Sequence, residues 1–241
     1  MVKLSNFNEL YLRWASEEYI NINKILYDNI NNWRNKNEKN ILFSKVNLGL
    51  TLDGKLDFRG FYFNVGLSFQ NLKGVDFSYC NTKRSFETCQ KLTDNVFDFK
   101  YGLGFSDSIL DNCNFINAEL TGFIRSVISS CCFDNATIDG GGLGVNQEID
   151  NCSFRNVKFK NLFLSRIVFR NCDFTGSVFY GNSDVEYCKF INCNFDKVNF
   201  KTTAMKKIAN VDGFIGCEFI NSLLSLDQKN KLSKAILIKT I

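Results

Sequence analysis

Between Asn151 and Phe200 the apolar positions recur every five residues. Divided in fives the stretch reads CSFRN, VKFKN, LFLSR, IVFRN, CDFTG, SVFYG and, after one extra residue, SDVEY, CKFIN, CNFDK, VNF. The third position is always Phe, Leu or Val. The first is small or aliphatic, as in Cys152, Val157, Leu162, Ile167, Cys172, Ser177, Cys188, Cys193 and Val198. A period of five matches neither the 3.6 of a helix nor the 2.0 of a strand. It marks an internal repeat.

The same pattern starts raggedly near Val46 and Leu48 and runs through pairs such as Leu56/Phe58, Phe61/Phe63, Leu67/Phe69 and Val75/Phe77. It breaks over 80–96, a stretch expected to be a loop or irregular coil, in which Lys83 and Arg84 form a candidate partner-recognition pair. It returns at Leu103/Phe105 and continues past Gly140, where a bend is expected. A second interruption spans 201–213, and the fives at Cys217/Phe219 and Ser222/Leu224 close the array.

The two ends have a different rhythm. Ala15, Tyr19, Ile22, Leu26, Ile30 and Trp33 follow spacings of three and four, which predicts helix over 8–34. Ser16 followed by two Glu could start a second helix, so one helix and a helix pair both stay open. So do a cap over the repeat stack and a partner-binding or dimerising helix. Residues 225–241 read as a basic amphipathic terminal helix, with Ser225 and Gln228 in a capping-box arrangement. It would cap the stack or meet a second subunit.

If four fives make one coil, positions about twenty apart should match. Cys113, Cys131, Cys152, Cys172, Cys193 and Cys217 are separated by 18, 21, 20, 21 and 24 residues. Each precedes a Phe by two: Phe115, Phe133, Phe154, Phe174, Phe195 and Phe219. This arrangement predicts a column of thiols beside a column of phenyl rings, with coils about 4.8 Å apart. Cys acts there as a small hydrophobe and Phe as the large one. Asn112, Asn151, Asn171 and Asn192 precede four of these Cys, at corners where Asn tolerates tight turns.

Composition narrows the chemistry. The chain has 25 Phe, no Pro and no His, so the usual general base and the commonest zinc ligand are missing. A line of thiols without a CxxC pair does not enclose a metal ion, and no cofactor or metal is expected. Of the remaining thiols, Cys132 should point outward from the coil, and Cys80 and Cys89 in the irregular segment are candidates for reactivity. Asp173, Asp184, Glu186 and Asp196 suggest carboxylate chemistry only superficially, because the long coils of sugar-cleaving β-helices are absent. Arg155, Lys158, Lys160, Arg166 and Arg170 fall on different faces of a square coil. Residues 46–220 carry 18 basic and 19 acidic side chains, which makes no nucleic-acid stripe. The opening residues have no signal-peptide pattern and no run suits a membrane span, so a cytoplasmic protein with reduced thiols is expected.

The five-residue pattern resembles the pentapeptide repeat family, whose consensus is A(D/N)LXX. The resemblance covers about residues 46–224 and is most specific between 105 and 200. It implies an all-β solenoid, a right-handed quadrilateral β-helix over 46–224, with a helical N-terminal region over 1–45 and a C-terminal capping helix over 225–241. It also implies a non-catalytic, protein-binding scaffold. The best-described activity in the family is binding type II topoisomerase, where a DNA-like rod protects gyrase from quinolones or toxins. That mimicry needs an acidic rod, whereas the coils here are near neutral. The alternative is a bacterial effector or regulatory scaffold that binds another protein through its helical ends or coil faces. A homodimer through the C-terminal end fits the family pattern.

Overall fold

A five-residue period leaves too few residues for a helix between corners, so each five forms a short extended segment and then turns. The computed structural model describes residues 7–36, 48–63, 66–93, 103–140, 143–145, 147–181, 184–202, 214, 215, 217–226, 229 and 236–239. In it the repeat stacks into a β-solenoid with parallel ladders. An eight-stranded sheet runs from Asn71–Lys73 through Ile109–Asp111, Val127–Ser129, Glu148–Asp150, Val168–Arg170, Lys189–Ile191 and Cys217–Ile220 to Ile236–Lys239. A seven-stranded sheet climbs from Leu67–Ser68 to Asn199–Thr202, and a four-stranded one joins Gly144–Val145 to Phe214–Ile215. A further ladder consists of single parallel bridges through Asp76, Asn114, Cys132, Ser153, Asp173, Asn194 and Leu223.

The core is aromatic. Phe77, Phe115, Phe133, Phe154, Phe174 and Phe195 form one stack with ring centroids 4.8–5.3 Å apart. Beside it Phe169, Phe190 and Phe219 stack at 5.0 and 4.8 Å. The two stacks meet edge-on, as in Phe190–Phe195 at 5.2 Å. Offset stacking along a column and edge-to-face contact between columns are both favoured by the ring quadrupole.

Next to the rings, Cys113, Cys131, Cys152, Cys172 and Cys193 are buried in one column. The Cys113 N–H reaches the Cys131 Sγ at 3.4 Å, and the Cys131 N–H reaches the Cys152 Sγ at 3.4 Å. Each thiol donates back to a carbonyl two residues earlier, Cys131 to Ser129 O at 3.2 Å and Cys172 to Arg170 O at 3.1 Å. The hydrogen bond with Cys131, helped by burial, pushes the Cys113 thiol far up. Thiols buried behind the coils are screened from reagents and react slowly. With Ellman's reagent on native protein, Cys132 should be modified first and the five column thiols only on unfolding. Stoichiometric labelling of the column in folded protein would contradict this packing.

The column does not continue to Cys217. Above Cys193 stands Ser222, whose Oγ accepts the Cys193 N–H at 3.2 Å, and Leu223 bridges Asn194. The pairing of Lys189 with Glu218 places Cys217 in register with Cys188 and sets Phe219 over Phe190. The chain between the two coils is long enough to move the frame by one face. Most of that interruption, 203–213, lies outside the described residues, and Lys201 and Thr202 belong to the strand Asn199–Thr202.

Two further expectations are corrected. The 80–96 stretch is not an irregular coil, because Lys83–Thr93 is an α-helix. The Thr82 Oγ1 accepts the Ser85 N–H at 3.2 Å as an N-cap, and Phe86 and Cys89 form one apolar face, three residues apart. Nor is 225–241 a single helix. Among the described residues of this stretch Leu226 and Lys229 are helical, and Ile236–Lys239 adds a parallel strand to Cys217–Ile220. Its β-branched Ile236 and Ile238 suit a strand as well as a helical face. Gln228 of the expected capping box lies outside the described residues.

The corners that precede the Cys column are held by Asn112, Asn151, Asn171 and Asn192 at φ of 53, 52, 52 and 53°. The left-handed region is one that Asn enters more cheaply than other side chains. Asn192 Nδ2 donates to Asn171 Oδ1 at 3.2 Å, and Asn171 Nδ2 to Asp150 Oδ1 at 3.0 Å. This is the start of an Asn ladder, which gives way to other polar groups lower down.

Candidate functional site

The helical end carries the least repeat-like residues. Helix α1 (Phe7–Leu12) runs into a 3-10 turn, Arg13–Ala15, and the chain extends at Ser16 before helix α2 (Glu17–Lys36). The Ser16 carbonyl then accepts the N–H groups of Tyr19 and Ile20 at 3.0 and 3.1 Å, so the helix pair is the arrangement present. Leu26 and Trp14 are buried, and Tyr19 and Ile22 pack against the core. The side chains of Ile30 and Trp33 lie outside the described residues.

Trp14 seals the first coil. Its ring lies 4.7 Å from Phe61 and 6.4 Å from Phe58, and its Nε1 donates to Arg59 O at 2.9 Å. Beside it Arg13 makes a bidentate pair with Asp57, Nη1 to Oδ2 at 2.8 Å and Nη2 to Oδ1 at 2.9 Å. Arg59 grips the same carboxylate from the other side, Nε to Oδ1 at 2.9 Å and Nη2 to Oδ2 at 2.8 Å. Burial would raise the Asp57 pKa, but hydrogen bonds and charge from Arg59 and Arg13 outweigh it and bring it to about 2. The sequence reading missed this clamp, since no local pattern marks a pair 44 residues apart.

Helix α3 (Lys83–Thr93) lies against the same unit. Thr82 Oγ1 donates to the Tyr11 hydroxyl at 3.2 Å, Arg84 Nη1 to Asn8 Oδ1 at 3.0 Å, and Phe86 meets Tyr62 edge-on at 5.2 Å. The Lys83–Arg84 pair therefore does not project on a loop. Arg84 ties α3 to α1, and Lys83 is exposed beside Glu87 at 3.8 Å. Cys80 and Cys89, considered for reactivity, are both buried, and burial pushes the Cys80 thiol well up. Leu12 on α1 and Ile20 and Ile25 on α2 are exposed to solvent, at 60, 38 and 44%.

The coil surface is electrically mixed. Cations pair with carboxylates of neighbouring coils: Arg125 with Asp107 at 2.7 Å, Arg155 with Asp173 at 2.6 Å, Lys160 with Asp139 at 2.7 Å and Lys189 with Glu218 at 3.3 Å. The Arg125 hydrogen bonds hold Asp107 below the ordinary carboxylate range. The five cations at 155–170 are spread over several ladders, and Asp173, Glu186 and Asp196 lie in different rows. Among the described residues no group of three or more His, Cys, Asp or Glu side chains is placed to hold a metal, and no helix is long and apolar enough to cross a membrane.

Residues 164–207 match the family model for pentapeptide repeats. No curated protein matches the chain. Similar solved structures include a trypsin-treated form of QnrB1, a plasmid-mediated fluoroquinolone resistance protein. It is 14% identical over 75% of this chain and 91% of its own, with a TM-score of 0.36. HetL, a pentapeptide repeat protein of heterocyst differentiation regulation from the cyanobacterium Nostoc sp. strain PCC 7120, is 13% identical over 70% of this chain and 77% of its own, with a TM-score of 0.28.

Proposed function

Because this chain is a pentapeptide-repeat protein, we propose that it is a non-catalytic, cytoplasmic scaffold that binds another protein. The right-handed quadrilateral winding of the family belongs to this reading. Four parallel ladders support it, as does the right-handed preference of parallel crossovers. The observation that carries the function is that Leu12, Ile20 and Ile25 of the helical end are exposed to solvent on a unit anchored by a buried ion clamp. A rigid, well-anchored surface loses little entropy on binding. Leu12→Asp with Ile25→Asp should weaken capture of the partner at least tenfold in a pull-down from the source cell, with the thermal midpoint within a few degrees of wild type. Unchanged capture would remove the helical end from the contact.

A second reading is type II topoisomerase protection, favoured by helix α3 inserted between coils, since insertions on rigid repeats commonly carry recognition. The neutral pairing of coil charges argues that such contact would not rest on imitating DNA. A gyrase supercoiling titration with and without a fluoroquinolone decides it. Rescue at stoichiometric protein, reduced by Lys83→Glu, supports the reading. No inhibition and no rescue removes it.

A further inference from the structure

One corner of the solenoid differs from the rest. Elsewhere the left-handed corner positions are mostly Asn or Gly, as at Asn117, Asn135, Asn156 and Gly176. At the corner leading into the eight-stranded sheet, the described residues are Phe69, Asp107, Arg125, Arg166 and Tyr187, at φ of 50–55°. Bulky side chains are costly in this region, and such strain concentrates where a surface has a task.

Over its first four coils the same corner reverses the usual distribution of polarity. Its inward positions there, Gln70, Ser108, Ser126 and Gln147, are polar and buried, and Ile167 and Cys188 continue the column as apolar residues. Its outward ones include Phe69, Ile109, Ile124, Val127 and Tyr187, all between 41 and 55% exposed. Adjacent to it, the outer face of the eight-stranded sheet is crossed by rows of side chains in register: Asn71, Ile109, Val127, Glu148, Val168, Lys189 in one row, and Lys73, Asp111, Ser129, Asp150, Arg170, Ile191 in the next. Among the described residues, neither Arg166 nor Arg170 is in an ion pair. The Arg166 guanidinium lies 5.9 Å from the Tyr187 ring.

We propose that this face and corner form a two-fold, antiparallel interface between two copies of the chain. An isologous contact requires a self-complementary order, and the coils of Ile109 and Val168 carry one, as do the corner residues beside them; the pairs nearest the axis set Val127 against Glu148 and Ser129 against Asp150. A two-fold axis crossing the face between the coils of Val127 and Glu148 opposes each row to itself, reversed. Phe69 then meets the partner's Tyr187. Asp107 meets the partner's Arg166, Ile109 the partner's Val168, and Asp111 the partner's Arg170. Symmetry repeats each pair on the other side of the axis. The unpaired arginines thereby gain carboxylates, and the exposed aromatics at both ends of the strip cover each other. Asp107 and Asp111 already take Arg125 and Lys73, and a carboxylate has acceptor sites for a second cation. Six coils span roughly 24 Å at the usual strand spacing. A strip of that length is at the small end of specific interfaces, so association is expected at micromolar rather than nanomolar concentrations.

Sedimentation equilibrium on the full chain, combined with charge exchange, tests the pairing. Arg166→Asp with Arg170→Asp opposes carboxylates to carboxylates, and Asp107→Arg with Asp111→Arg opposes cations to cations. Each double variant alone should dimerise at least tenfold more weakly than wild type. An equimolar mixture of the two should form a heterodimer, because every opposed pair is again of opposite sign. Circular dichroism checks that both variants fold. Should either fail to fold, single Phe69→Cys and Tyr187→Cys variants, mixed under mild oxidation, should give a disulfide joining the two positions. A wild type monomeric up to about millimolar concentration overturns the proposal. So does a dimer indifferent to both exchanges, for example one lost only when the edge strand Ile236–Lys239 is removed, and so does absence of the 69–187 cross-link.

Discussion

Phe174→Ala lowers the unfolding free energy by about 3–5 kcal/mol, the range for deleting a buried phenyl ring into a cavity that cannot collapse. The site cannot collapse because it is bounded along the column by Phe154 at 5.0 Å and Phe195 at 4.9 Å. Phe169 and Phe190 close it laterally at 5.4 and 5.9 Å. Those rings are held by the ladders of three coils, whose spacing is fixed by hydrogen bonds. For a chain of this length the midpoint of thermal unfolding should fall by roughly 10 °C. Phe163→Ala is the control. Phe163 is 46% exposed on the outside of its strand, and its loss should cost well under 1 kcal/mol, as for most surface substitutions. Urea titrations of both variants, followed by circular dichroism, measure the difference. A Phe174 cost near that of Phe163 would contradict the aromatic stack.

The second large effect belongs to the clamp at the helical end. Asp57→Ala leaves Arg13 buried at 8% exposure beside Trp14 without its carboxylate. Breaking a buried pair by removing one partner costs about 3–5 kcal/mol, because the other charge stays desolvated. Arg59, whose side chain is 23% exposed, can turn back to water. The expected result is local: α1 and the 3-10 turn detach, Trp14 becomes accessible, and its fluorescence shifts to the red while the coil signal in circular dichroism persists. Arg13→Met combined with Asp57→Leu should cost less than Asp57→Ala alone, since an apolar pair needs no desolvation compensation. Equal or greater loss in the double variant would show that packing, not charge, sets the cost.

The clamp also has an acid signature. The Asp57 pKa is depressed from its ordinary 3.8 to about 2. A carboxyl depressed on folding contributes stability that is fully present above the unfolded value and lost as pH falls through the folded one. Its contribution of roughly 2 kcal/mol is therefore intact above about pH 4 and gone below about pH 2. The helical end of the wild type should loosen across that window, and the Asp57→Ala variant should show no such step.

The sequence determined the solenoid by itself, for a local reason. Each five-residue unit supplies one inward small residue, one inward large residue and one corner, so architecture is legible from spacing alone. The same property limits what spacing can say. Cys188/Phe190 and Cys193/Phe195 have identical patterns on adjacent faces. Spacing therefore assigns a residue to its place within a five but not to a face, and only the ladder pairing puts Cys217 over Cys188 and Ser222 over Cys193. The 80–96 stretch reads as irregular coil in the sequence, since Phe86 and Cys89 alone make too short an apolar stripe, and the helix Lys83–Thr93 is fixed by the cap at Thr82 and by Tyr62 and Tyr11, which receive it. Ile236–Lys239 could satisfy a helical stripe or a strand, and the open edge of Cys217–Ile220 selected the strand, because unpaired backbone groups there gain hydrogen-bond partners. Arg13, Asp57 and Arg59 were unmarked because their meaning is mutual. A charge is stable in a buried site only where the fold delivers its counter-charge, and the fold delivers this one across 44 residues of chain.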